Sequence, residues 1–146
     1  MLSAEPAAIV GGQGWVKTNM KRRRGRLMNA DELEEFINRL LSLGRAEEFY
    51  WCYDWKVTST AVIKRNRYEC LRCKRLGRVG TAKQVHHRYP KSQYPRWALS
   101  EFVTLDDGTV ERNLEPLCAR CHEEVEAERQ DRKKEKEQGF KNDERW

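Results

Sequence analysis

All three histidines and four of the five cysteines of this chain fall in one ordered run: Cys70-x-x-Cys73, then His86-His87, then Asn113, then Cys118-x-x-Cys121-His122. Two C-x-x-C turns present four thiolates, a set that suits tetrahedral zinc because each turn bites the metal with two sulfurs. Cys70, Cys73, Cys118 and Cys121 are therefore expected to hold one structural zinc ion. A haem-attachment reading of Cys118-Ala-Arg-Cys121-His122 fails on the second C-x-x-C upstream, and a thioredoxin-type reading lacks a βαβ pattern around either pair. The histidines are left for other work. Consecutive residues of a strand point to opposite sides, so one of His86 and His87 is expected to hold a metal while the other faces substrate. His122 stands near the start of a helix with Glu126 four residues on, along the same face. His86 and His122, with Glu126 as a candidate third ligand, would leave open positions on a divalent cation for a phosphate oxygen and water.

Composition bounds what these residues sit in. The chain has 146 residues, 36% of them charged and 38% hydrophobic, with a mean hydropathy of -0.94. The core must be small, and a structural metal can supply about 10 kcal/mol or more of coupled folding free energy. No stretch is long and apolar enough for a membrane span, and the start, MLSAEPAAIVGG, has an acid and a proline where a signal peptide wants positive charge. A cytoplasmic protein is expected, where paired cysteines hold metal more often than they form disulfides. Cys52, left over beside Trp51 and Tyr53, reads as a buried free thiol.

The net charge of +6 is unevenly spread: residues 56–100 carry twelve basic side chains against Glu69 alone. Positive charge thus surrounds the first cysteine pair and the His-His pair, where a polyanion would approach. Nucleic acid is the expected partner. Arg88, Lys91, Arg96 and Arg120 are the candidate phosphate contacts; such contacts position without specifying, so binding should be salt-sensitive and weakly sequence-specific.

The elements that must position these residues can be read in outline. Residues 1–28, with Lys21-Arg22-Arg23-Arg24-Gly25-Arg26 and no apolar periodicity, predict a basic, disordered tail. Residues 29–66 predict a helical part. Asn29 caps a helix with Asp31 and Glu32 in its first turn and Leu33, Phe36, Ile37, Leu40 and Leu41 at helical spacing before Gly44, and a second helical stretch lies within 46–65. The aromatics Phe49, Tyr50 and Trp55 are expected to cover the core. Residues 67–138 predict the metal-bearing core: a strand over Val79–His87, a long excursion over 88–112, a return strand over Asn113–Leu117, and a charged helix from about Ala119 to Gln138. The excursion includes a hairpin over Phe102–Val110 turning at Asp107-Gly108. Glu128 and Arg132 form an i,i+4 pair on the helix, and residues 139–146 predict a C-terminal tail.

Val85-His86-His87 followed by Asn113-Leu114-Glu115-Pro116-Leu117-Cys118-Ala119-Arg120-Cys121-His122 resembles the HNH endonucleases, whose pattern is C-x-x-C, [DH]-H, N-L-x-x-L-C-x-x-C-H. Phe49-Tyr50, Trp55 and Tyr68 before the first C-x-x-C resemble the small stand-alone HNH proteins of bacteriophages. The resemblance spans about residues 49–126. It implies an α+β fold with a ββα-metal (HNH, His-Me finger) core, the four-cysteine zinc site and flanking helices. By position, His87 matches the general base, His86 and His122 the ligands of a catalytic cation, and Asn113 the residue that orients the base and its loop or, in some relatives, touches the metal. Many relatives have a histidine where Glu126 stands; a carboxylate favours Mg²⁺ or Mn²⁺.

The function implied is metal-dependent hydrolysis of DNA, by nicking or double-strand cutting, leaving 3′-hydroxyl and 5′-phosphate ends. Phage relatives often accompany terminase proteins, so the resemblance also implies assistance in DNA packaging in the host cytoplasm. The alternatives are a zinc-dependent nucleic-acid-binding module with idle catalytic groups, and a structural protein of a packaging machine. His87 and Asn113 discriminate, since a zinc module whose metal is already held by four sulfurs needs neither.

Overall fold

A computed structural model describes residues 25–143, with side chains as far as residue 139. The N-terminal basic run lies, apart from Gly25 and Arg26, outside the described residues. The described residues group into two compact units that interleave in sequence: 25–61 with His87–Leu114, and Val62–His86 with 115–143. The excursion 88–112 groups with the N-terminal helices.

In the first unit, α1 (Ala30–Ser42) buries Leu33, Phe36, Ile37 and Leu40, the stripe that a 3.6-residue period aligns. Its start is a capping box: the Glu32 amide donates to Asn29 Oδ1 at 2.9 Å and the Asn29 amide to Glu32 Oε2 at 2.9 Å. Gly44, at a φ of +66°, turns the chain out of the helix. The helical stretch expected within 46–65 is two elements, a 3₁₀ helix (Ala46–Trp51) and α2 (Tyr53–Arg65), because Cys52 between them is extended. Phe49 and Trp55 are buried, as is Cys52, which forms no disulfide and whose sulfur accepts the Trp55 amide at 3.4 Å. Asp54, also buried, accepts the Met28 amide at 2.6 Å, tying the chain before α1 to α2.

The excursion packs on α1 through a second 3₁₀ turn (Pro95–Trp97). Its hairpin pairs β2 (Phe102–Thr104) with β3 (Val110–Arg112) antiparallel, in the register Phe102↔Arg112, Val103↔Glu111 and Thr104↔Val110. Gly108, at φ +85°, occupies the turn, and the Thr109 amide donates to Asp107 Oδ1 at 2.9 Å.

In the second unit α3 (Leu71–Arg75) follows Cys70, and β1 (Gln84–His87) pairs with β4 (Leu114–Leu117). The strand expected from Val79 starts only at Gln84, because residues 80–82 close the first cysteine turn. The Cys70 amide donates to the Gly80 carbonyl at 2.9 Å, and the Ala82 amide to that of Tyr68 at 2.7 Å. Likewise the return strand begins at Leu114, one residue after Asn113, whose backbone is engaged elsewhere.

The last helix, α4 (Ala119–Asp143), runs five residues beyond Gln138, into the expected tail. The Glu128–Arg132 pair is shared with a third residue: Arg72 Nη2 donates to the Glu128 carboxylate at 2.6 Å, while Arg132 acts on that carboxylate by its charge and donates from Nε to the Glu128 carbonyl at 3.3 Å. Among the described residues no helix is long and apolar enough to cross a membrane.

Asn29→Ala removes the acceptor of the capping box and should lower stability by about 1 kcal/mol. Urea unfolding should show a lower midpoint at an unchanged slope.

Candidate active site

The first cluster is made of sulfur. Cys70, Cys73, Cys118 and Cys121 bring one Sγ each to within 4.8 Å of one another, with Cys73 Sγ 3.8 Å from Cys118 Sγ and 3.5 Å from Cys121 Sγ. A tetrahedron with metal–sulfur bonds of about 2.3 Å has edges of about 3.8 Å, so the spacing fits zinc. Each C-x-x-C turn folds back on its first sulfur: the Cys73 amide donates to Cys70 Sγ at 3.5 Å, and the Cys121 amide to Cys118 Sγ at 3.5 Å. That backbone donor draws the Cys118 thiol down to about 7, while burial, aided by the neighbouring sulfurs, pushes Cys121 up to about 12. Four crowded thiols cannot all ionise unless a cation offsets the charge.

Gly80 belongs to this clasp. A Cβ there would lie 2.7 Å from Cys73 Sγ, so only glycine lets the backbone pass close enough to accept the Cys70 amide. Nothing in the sequence pattern singled it out.

The second cluster is His86, His122 and Glu126, whose ligand atoms also lie within 4.8 Å of one another. β1 supplies His86; α4 supplies His122 and, one turn on, Glu126. His86 Nδ1 is 3.2 Å from Glu126 Oε1, and the two imidazole centroids are 5.8 Å apart. Burial, and next the charge of Arg129, lower His86 from 6.5 to about 4, so the ring is neutral near neutral pH, the form that ligates. Two imidazoles and a carboxylate suit a divalent cation with coordination positions to spare.

His87, the next residue, has different surroundings. It is 5% exposed, stacks on Trp55 at 4.6 Å and 24°, and meets the edge of Phe49 at 5.8 Å. Its Nε2 lies 2.9 Å from the Ala98 carbonyl. A carbonyl only accepts, so Nε2 carries the proton and donates, leaving the basic lone pair on Nδ1.

Asn113 is fully buried and braces the loop that supplies this carbonyl. Its Nδ2 donates to the carbonyls of Trp97 at 2.8 Å and Ser100 at 3.1 Å, and its Oδ1 accepts the Tyr89 amide at 3.0 Å. Its own backbone takes the Arg88 amide at 2.8 Å and donates to the Glu101 carbonyl at 2.7 Å. These bonds are those of a residue that orients a loop.

The structure treats the four expected phosphate contacts unequally. Arg96 Nη1 is bound to Asp31 at 2.5 Å and Glu34 at 3.1 Å. Lys91 donates to the Tyr50 hydroxyl at 3.1 Å and lies 4.3 Å above its ring centroid, and Arg120 pairs with Glu124 at 3.1 Å. Arg88 is exposed and has no side-chain hydrogen bond or ion pair among the described residues. The Ala98 carbonyl, the Trp55 stack and Arg129 were not anticipated as parts of the site. A carbonyl leaves no trace in a sequence, but Arg129 is readable in principle, three residues past Glu126 on the same helix face.

Paired short strands leading into a helix, with metal-capable side chains from strand and helix, define the ββα-metal class of nuclease centres. Residues 70–128 match the family model for HNH endonuclease: they are an HNH endonuclease domain, and the chain is a DNA-cleaving hydrolase of that kind. Among solved structures the chain is similar to the HNH endonuclease of the deep-sea thermophilic bacteriophage GVE2, crystallised with a manganese ion. Identity is 26% and the TM-score 0.50, over 68% of this chain and 91% of that one. None of the curated proteins matches significantly.

Gly80→Ala should weaken the sulfur clasp, with faster release of its metal to a chelator and a thermal midpoint lowered by several degrees. Gly139→Ala, in an exposed helix where a Cβ meets nothing, should do neither and should gain up to about 1 kcal/mol.

Proposed function

We propose that the chain is a metal-dependent DNA endonuclease that holds zinc on Cys70, Cys73, Cys118 and Cys121 and a Mg²⁺- or Mn²⁺-type cation on His86, His122 and Glu126. The observation that carries this reading is the pairing of roles on consecutive residues: His86 joins a ligand cluster, and His87 is held in the tautomer of a general base. Bound there, the cation would polarise the scissile phosphate and stabilise the departing 3′ oxygen.

His87 Nδ1 accepts a proton from the attacking water, and the donated bond from Nε2 to the Ala98 carbonyl stabilises the imidazolium that results. Trp55 restrains the ring by stacking. Asn113 acts as a positioning residue, through the loop that carries Ala98. Water attacks phosphorus, and the 3′ oxygen leaves, giving 3′-hydroxyl and 5′-phosphate ends. Arg88 is the first phosphate contact, and Lys91, Arg96 and Arg120 join it by leaving their present partners; contacts to phosphate alone give low sequence specificity. The bacteriophage origin of the similar solved structure supports a phage setting; action in a host cytoplasm beside terminase proteins during packaging is carried by the family resemblance alone.

Supercoiled plasmid incubated with Mg²⁺, Mn²⁺ or no metal tests the reading. Nicking should require metal and fall at least 100-fold in His87→Ala, with unchanged far-UV circular dichroism. Equal cutting by both proteins would remove His87 from the chemistry. Tight DNA binding without cutting under any metal would favour a catalytically idle zinc-dependent binding module. Cys118→Ser should release zinc and abolish the near-UV signal; a fold indifferent to zinc removal would overturn the structural role of the four cysteines.

A further inference from the structure

Arg129 shares the cation cluster although a metal site has no use for it as a ligand. It follows Glu126 by three residues and His122 by seven, so α4 presents all three along one face. Its Nη2 lies 3.3 Å from His86 Nε2, and its Nη1 lies 3.6 Å from Glu126 Oε1. A guanidinium is permanently charged and has donors only. It must therefore donate to Nε2, which places the ring proton on Nδ1, where it faces Glu126 Oε1 at 3.2 Å. Arg129 thus hydrogen-bonds to one nitrogen of His86 while the other nitrogen stands beside the Glu126 carboxylate, which the guanidinium also faces.

We propose, resting on the reading of His86, His122 and Glu126 as cation ligands, that Arg129 is a built-in stand-in for that cation, which the metal must displace. Both ways of ligating His86 lead there. A metal taking Nε2 claims the lone pair that the guanidinium now uses. A metal taking Nδ1 forces the ring proton onto Nε2, setting an N–H against the N–H groups of Arg129. In either case two positive charges would lie within a few ångströms of one another. Without metal, the guanidinium satisfies a buried imidazole nitrogen that would otherwise lack a partner, and it holds Glu126 beside His86. The ligand set is kept assembled, and the metal concentration needed to fill it is raised.

Calorimetric titration of Mn²⁺ into the zinc-carrying full chain tests this. Arg129→Met should bind Mn²⁺ about tenfold tighter than wild type, and Arg129→Lys, which keeps the charge, should stay close to wild type. Without Mn²⁺, Arg129→Met should unfold at a lower temperature than wild type. His122→Ala should lose the binding. If wild-type binding depends on His122 but Arg129→Met binds Mn²⁺ no more tightly, the stand-in role is overturned and the metal site survives. If wild type binds no Mn²⁺ in a His122-dependent way, the site and the stand-in fall together.

Discussion

Sulfur stands where hydrocarbon would ordinarily form the core of the unit built from Val62–His86 and the residues after Glu115. Its buried cluster is Cys70, Cys73, Leu117 and Cys121, with Cys118 and Val125 packed at the margin. Beyond this cluster the unit buries only a few aliphatic side chains, Val62, Ala82, Val85 and Pro116 among the described residues, a small apolar core for a strand pair and a 25-residue helix. Four thiolates drawn onto one ion would make this unit cohere, and the second cluster is indexed to them. His122 directly follows Cys121, so the cysteine turn also sets the rotation of α4, and with it the face carrying Glu126 and Arg129.

The surroundings of His87 follow a different logic. The ring is held between a loop carbonyl and the Trp55 side chain of α2. Loops rarely offer such precision unless something over-determines them, and Asn113 does so by bonding to three backbone groups at once. Its amide makes three of the four hydrogen bonds open to an asparagine side chain, all within this loop system. An aspartate would lose both donors to the Trp97 and Ser100 carbonyls and set a negative charge against them.

Much of this was legible in the sequence, and the limits have physical causes. α1 was readable because its cap, first-turn acids and apolar stripe agree. That the two sets of potential ligands come together was readable because ligand chemistry restricts residue type and spacing so tightly. Val79 failed as a strand residue because β propensity does not see that residues 80–82 are already committed to closing a cysteine turn. Glu128 keeps Arg132 as a charge neighbour but takes its hydrogen bond from Arg72, fifty-six positions away, which a local rule cannot foresee. The candidate phosphate contacts were selected by charge alone, and charge does not reveal that Arg96 already faces Asp31 and Glu34.

The clamp of Asn113 grips the excursion at its start, residues 88–89, and midway, at residues 97–101. The hairpin tip around Asp107-Gly108 lies outside that grip, and loop-closure entropy changes slowly with length. The tip can therefore be lengthened, shortened or exchanged without disturbing the carbonyl that fixes His87. Two parts of one excursion thus carry unequal constraints: the braced part is fixed by its hydrogen bonds, and the tip can change in length and sequence while the chemistry beside His87 stays as it is.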